Sequence, residues 1–88
     1  MIFNFDPEKN KLLKKTRNIT FEEIIEEIED NNVLDIVPHF NIEKYTHQNI
    51  FIIKLNNYIY YIHFVEENNK CFLKNIIPSK KLNKFYNS

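Results

Sequence analysis

Residues 50–77 read IFIIKLNNYIYYIHFVEENNKCFLKNII, and the reading of this stretch decides the fold. Three apolar runs, Ile50–Leu55, Tyr58–Val65 and Cys71–Ile77, are divided by Asn56-Asn57 and by Glu66-Glu67-Asn68-Asn69-Lys70. Each run has strand length and is rich in β-branched and aromatic residues, which suit a pleated, half-buried surface. A two-residue Asn-Asn connection fits a type I′ turn, which needs positive φ at both central positions. The stretch predicts an antiparallel meander.

The turns fix a registry. With Asn56-Asn57 at the first turn, Leu55 faces Tyr58, Ile53 faces Tyr60 and Phe51 faces Ile62. With Asn68-Asn69 at the second, Phe64 faces Leu73, Ile62 faces Asn75 and Tyr60 faces Ile77. Alternation puts all of these on one face, the expected core side. The other face is expected to carry Ile50, Ile52, Lys54, Ile59, Tyr61, His63, Val65, Phe72, Lys74 and Ile76, with His63 and Lys74 as direct cross-strand neighbours. Five of these, Ile50, Ile52, Ile59, Phe72 and Ile76, make that face too apolar for water. A partner, or the chain's own tail, is expected to cover it. Basic and titratable groups on this face, followed by Ser79-Lys80-Lys81, point to phosphate recognition.

Working outward, Ile2–Phe5 is a short strand candidate. Asp6-Pro7-Glu8 has the order of a helix start, with cap, first-turn proline and first-turn acid. The helix it opens is basic, with Leu12 and Leu13 as its apolar anchors, and Asn18 is expected beyond its end in the left-handed conformation. Thr20-Phe21-Glu22-Glu23 is a capping box, and Ile19 can staple onto Ile24. Phe21, Ile24, Ile25 and Ile28 form one apolar stripe of the second helix, with five glutamates around it. Val33–Val37 is a strand stopped by Pro38. Residues 39–48 read as a loop of binding-loop length. Ser79 is expected to cap a short helix whose Leu82, Phe85 and Tyr86 turn inward. The expected fold is α+β in one domain spanning 1–88: a four-stranded, mainly antiparallel sheet, two N-terminal helices packed on one face, and a short C-terminal helix.

Composition sets bounds. Twelve basic and twelve acidic side chains cancel, so the chain is not a general polyanion binder. The charge is polarised, however: residues 20–30 hold five Glu and one Asp, while residues 70–88 hold five Lys and no acid. The single cysteine, Cys71, excludes an internal disulfide and fits a reducing cytoplasmic setting. No stretch reads as a signal peptide or membrane span, so no membrane partner is expected. Fourteen Asn and no Gly mean that Asn must serve wherever the backbone needs positive φ. A metal site from His39, His47, His63 and Cys71 matches no compact zinc spacing, and no cofactor is expected.

Three segments occur together in order: Phe5-Asp6-Pro7-Glu8-Lys9, Asn18-Ile19-Thr20-Phe21-Glu22-Glu23, and Ile76-Ile77-Pro78-Ser79-Lys80-Lys81. Over nearly its whole length the chain resembles the BrnT-type toxins of bacterial type II toxin–antitoxin pairs, within the RelE-like ribonuclease superfamily. In that family a Gly usually precedes the Thr-Phe-Glu-Glu start, where this chain has Asn18. The closing motif usually carries an arginine where this chain has Lys80. Lysine keeps the charge and loses the bidentate fork, and Arg17 is the only arginine in the chain.

The resemblance implies a metal-independent endoribonuclease that arrests translation by cutting mRNA. In such enzymes the RNA 2′-OH attacks the adjacent phosphate. It also implies a ribbon–helix–helix antitoxin as partner. On this reading Lys80, Lys81, Lys74 and His63 are the candidate catalytic residues, with the lysines on phosphate and His63 as proton carrier near neutral pH. Lys54, Tyr61 and Lys74 are candidate RNA contacts, and Ile50, Ile52, Ile59, Phe72 and Ile76 the candidate antitoxin surface. The rival expectation is a catalytically degenerate toxin-fold protein that serves as an interaction module. A plain nucleic-acid-binding domain is the third.

Overall fold

The structure, a computed structural model, describes residues 1–41 and 43–87. The elements run β1 (Ile2–Phe5), α1 (Pro7–Arg17), α2 (Phe21–Glu29), β2 (Val33–Pro38), β3 (Gln48–Leu55), β4 (Tyr58–Glu67), β5 (Lys70–Pro78) and α3 (Lys80–Tyr86). The class is α+β, and the sheet has five strands rather than four, in the order β1-β5-β4-β3-β2. Its meander β3-β4-β5 is extended on both sides: β2 joins β3 antiparallel, and β1 joins β5 parallel. A parallel pair needs a long connection, and α1, α2, β2, β3 and β4 all lie between β1 and β5.

Local chemistry sets the helix ends. Asp6 accepts the Glu8 N–H at 2.9 Å, and Asn18 closes α1 in the left-handed conformation. Both halves of the Thr20–Glu23 capping box are formed at α2. The Asn10 side chain ties the helices together, accepting the Phe21 N–H at 2.7 Å and donating to Glu22. Every described residue with positive φ is an asparagine: Asn18, Asn31, Asn56, Asn57, Asn68 and Asn69. Asn56-Asn57 and Asn68-Asn69 are the two hairpin turns.

The main core lies between the sheet and the N-terminal helices. Leu13, Ile19, Phe21 and Ile24 pack there on Phe51, Ile53, Ile62, Phe64, Leu73 and Ile76. Phe51 stacks on Phe64 with centroids 3.8 Å apart, and Phe5 stacks on Phe21 at 5.1 Å. The opposite face is covered by the chain itself. There Ile50, Ile52 and Ile59 form a second buried cluster with Val37, Tyr61 and Leu82 of α3. Ser79 fixes the start of α3: its N–H donates to the Ile59 carbonyl at 2.9 Å and its hydroxyl accepts the Leu82 N–H at 3.1 Å. Of the three α3 residues expected to turn inward, Leu82 does so, while Phe85 is 71% and Tyr86 36% exposed.

The registry holds through β3–β4 and at Phe64–Leu73, then shifts. Between His63 and Phe64 the ladder has a bulge, so His63 pairs with Asn75, Ile62 with Ile76, Tyr61 with Ile77 and Tyr60 with Pro78. Ile62 does not face Asn75, and Tyr60 does not face Ile77. Lys74 is the extra residue. The Asn75 side chain accepts the Ile76 N–H at 2.9 Å, a local bond that competes with the ladder. The slip carries Ile76 into the main core, where it is fully buried.

Candidate functional site

β4 presents Val65, His63, Tyr61 and Ile59 to the face that α3 shares. The direct His63–Lys74 pairing is not formed, because the bulge gives that position to Asn75. Two residues of β5 now stand opposite His63, and Lys74 is one of them. Its ammonium lies over the Phe72 ring, 4.6 Å from the centroid. Phe72 pairs with Val65 on one side and with Asn4 of β1 on the other.

His63 is half-buried and meets His39 edge-on, with ring centroids 4.8 Å apart. His39 lies just past β2, where its N–H donates to the Gln48 carbonyl at 3.3 Å and extends the β2–β3 ladder. Its Nδ1 accepts the Asn41 N–H at 3.0 Å, so the neutral ring carries its proton on Nε2. Its other flank rests on Tyr45, with centroids at 4.3 Å. Phe40 meets Tyr61 edge-on at 4.9 Å. The loop after β2 thus closes the His63 end of this face, and α3 closes the Ile59 end.

Burial first, and the His39 imidazole second, hold the His63 pKa below the usual histidine range. Near neutral pH His63 is therefore a free base, able to accept a proton. Among the described residues no three His, Cys, Asp or Glu side chains gather as a metal set.

The other candidates stand apart from this centre. Lys80 and Lys81 form the exposed first turn of α3, which has no acidic residue. That turn starts beside Ile59, four residues from His63 along β4, or about 13 Å of strand. Lys54 lies at the same end: it pairs with Ile59, and its ammonium donates to the Asn87 side chain at 2.7 Å, beyond the last turn of α3. A cation there suits the negative end of a helix, and it is distant from His63.

The expected antitoxin surface is largely closed. Ile50, Ile52 and Ile59 are 0%, 5% and 0% exposed, packed with Leu82 of α3, Val37 of β2 and Tyr61, and Ile76 faces the opposite core. Of that set Phe72 alone stays open, at 36%.

His39, Phe40 and Tyr45 join the site, although sequence reasoning gave them no role in it. The signal for His39 was available. Once β2 is paired to β3, Val37, Ile50 and His63 fall in one row, and His39 lies two residues further along the same face. No described helix is long and apolar enough to cross a membrane. No protein-family model matches the chain, and neither does any curated protein or solved structure.

Proposed function

We propose that the chain is the ribonuclease toxin of a type II toxin–antitoxin pair, acting in the cytoplasm on mRNA without a metal. One observation carries this reading: a half-buried histidine of lowered proton affinity faces a bulge that carries Lys74. His63 takes the proton from the 2′-OH as its oxygen bonds to phosphorus. The bond to the 5′ oxygen breaks, and that oxygen takes a proton from water or a neighbouring donor. Lys74 offsets charge developing on the phosphate, and Lys80 and Lys81 hold the RNA backbone further along. The ribbon–helix–helix antitoxin belongs to the same proposal. Exposed apolar residues open to it include Phe72, Phe40 and, on the edge strand β2, Leu34 and Ile36.

A specific contact favours the degenerate, non-catalytic reading. Arg17, the only arginine, donates from Nη1 to the Ile76 carbonyl at 3.0 Å, so the chain's one guanidinium has a structural task. Induced expression in a bacterium separates the two. The ribonuclease reading expects growth arrest, relieved by His63→Ala and by Lys80→Ala. Normal growth with soluble, folded wild-type protein in the cells rejects it and leaves the interaction module.

A further inference from the structure

β1 covers only half of its neighbour. Its four residues pair with Lys70–Leu73 of β5, after which the chain leaves at Asp6 to enter α1. Among the described residues, no strand lies beside the outer edge of β5 from Lys74 to Pro78. α1 runs along this gap, and Arg17 at its end holds the Ile76 carbonyl. A groove of about 330 Å³ lies there, lined by Lys9, Leu12, Leu13, Thr16, Arg17 and Asn75.

The lining has a definite chemistry. It holds two cations and no acid. The Asn75 oxygen is taken by the Ile76 N–H, which leaves the amide NH₂ as the group it offers. The Thr16 hydroxyl donates to the Leu12 carbonyl at 2.7 Å and is thereby satisfied within the helix. Leu12, although 52% exposed, supplies an apolar wall. Glu8, next to Lys9 in sequence, faces Lys11 at 3.6 Å. In a chain of zero net charge, this local excess of donors over apolar side chains suits an anionic ligand with a flat apolar part. A peptide strand is disfavoured at the free edge, because Arg17 already occupies the carbonyl such a strand would use.

We infer that the groove between α1 and the free edge of β5 binds single-stranded RNA, with Lys9 on a phosphate and a base against Leu12. The inference rests on the ribonuclease reading and extends it. The two bulge residues Lys74 and Asn75 stand opposite His63, and Asn75 also lines the groove. A strand crossing the β5 edge therefore passes from the His63 face into the α1 groove. Binding of this kind is sequence-tolerant and salt-sensitive.

The test is titration of the purified chain with a fluorescently labelled 12-nucleotide single-stranded RNA across a salt series. Lys9→Gln, Lys9→Arg and Lys11→Gln are compared with wild type, each checked for an unchanged melting curve. Losing one phosphate contact to single-stranded RNA lowers the salt slope by about 0.7, or roughly fivefold in affinity at 0.1 M salt. Lys9→Gln is expected to show this loss and Lys9→Arg to restore binding. Lys11→Gln, the same charge change on the same helix outside the groove, should match wild type. Equal losses in Lys9→Gln and Lys11→Gln overturn the groove in favour of diffuse attraction. RNA binding weakened by Lys80→Gln but not by Lys9→Gln overturns the groove and leaves the ribonuclease reading standing. No RNA binding by the folded wild type overturns both. Loss of binding to a neighbour-encoded protein in Lys9→Gln, with RNA binding unchanged, gives the groove to a protein partner and overturns the inference.

Discussion

Replacing Leu82 by Ala tests whether α3 closes the second face of the sheet. Leu82 is half-buried and is the α3 side chain packed on Ile50, Ile52 and Ile59. A fully buried Leu→Ala change costs about 2–5 kcal/mol, and a half-buried one about 1–2 kcal/mol. A chain of 88 residues is stable by only about 4–13 kcal/mol, at ~0.05–0.15 kcal/mol per residue. The expected Tm loss is therefore about 5–15 °C, at ~4–8 °C per kcal/mol for a domain of this size. Because α3 is short and anchored by few contacts, its loosening should expose the three isoleucines. Urea denaturation and binding of an apolar fluorescent dye report the two effects together. The exposed Lys84→Ala, in the same helix, should stay within about 0.5 kcal/mol of wild type. A Leu82→Ala protein with wild-type stability and no dye binding refutes the claim that α3 is the cover.

Other outcomes follow from the same contacts. His63 should titrate below pH 6.5 by NMR, and His39→Gln should raise its pKa part of the way, since burial is the larger cause. Its unfolded form protonates near pH 6.5, so stability should fall as pH drops below about 6.5 and level off below the folded pKa. A His63→Asn variant should flatten that decline. Burial, with Glu66 beside it, pushes the Cys71 thiol up to about 11. A disulfide reagent should therefore label Cys71 at pH 8 far more slowly in the folded protein than in urea, and equal rates contradict the burial. Asn57 sits at φ 63° in the β3–β4 turn. Asn57→Ala should cost about 1–2 kcal/mol of stability, and Asn57→Gly should not.

Much of the fold was legible because local chemistry and period agreed. The Asp6-Pro7 start named α1, and the Thr20–Glu23 box with the Ile24–Ile28 stripe named α2. The Asn pairs named both turns, since a chain without glycine has no better residue for positive φ. The bulge at Lys74 was not legible from alternation, which assumes an unbroken ladder. Its trace is the Asn75 side chain bonded to the next N–H. The second ladder shift, between Val33 and Asp35, carries the same mark, with Asp35 accepting the Ile36 N–H at 2.8 Å. The bulge signal is thus an Asn or Asp among apolar strand residues whose side chain bonds the next N–H; Asn4 of β1 pairs without a shift. That single step decided the site. It separated His63 from direct pairing with Lys74, sent Ile76 to the other core and set Asn75 opposite His63. The closure of the second face depended on Leu82 and on the β2–β3 loop. Leu82 is distant in sequence from the isoleucines it covers, and the loop aromatics meet His63 and Tyr61 across the sheet, so this packing was not readable from local pattern.

The most direct test of the account is the chemistry of RNA ends in cells expressing the chain. Transcripts should be cut to leave 2′,3′-cyclic phosphate and 5′-hydroxyl ends, and cells making folded His63→Ala should lack those cuts. Intact transcripts in cells that hold abundant soluble wild-type protein, or cuts that persist unchanged in His63→Ala, contradict it.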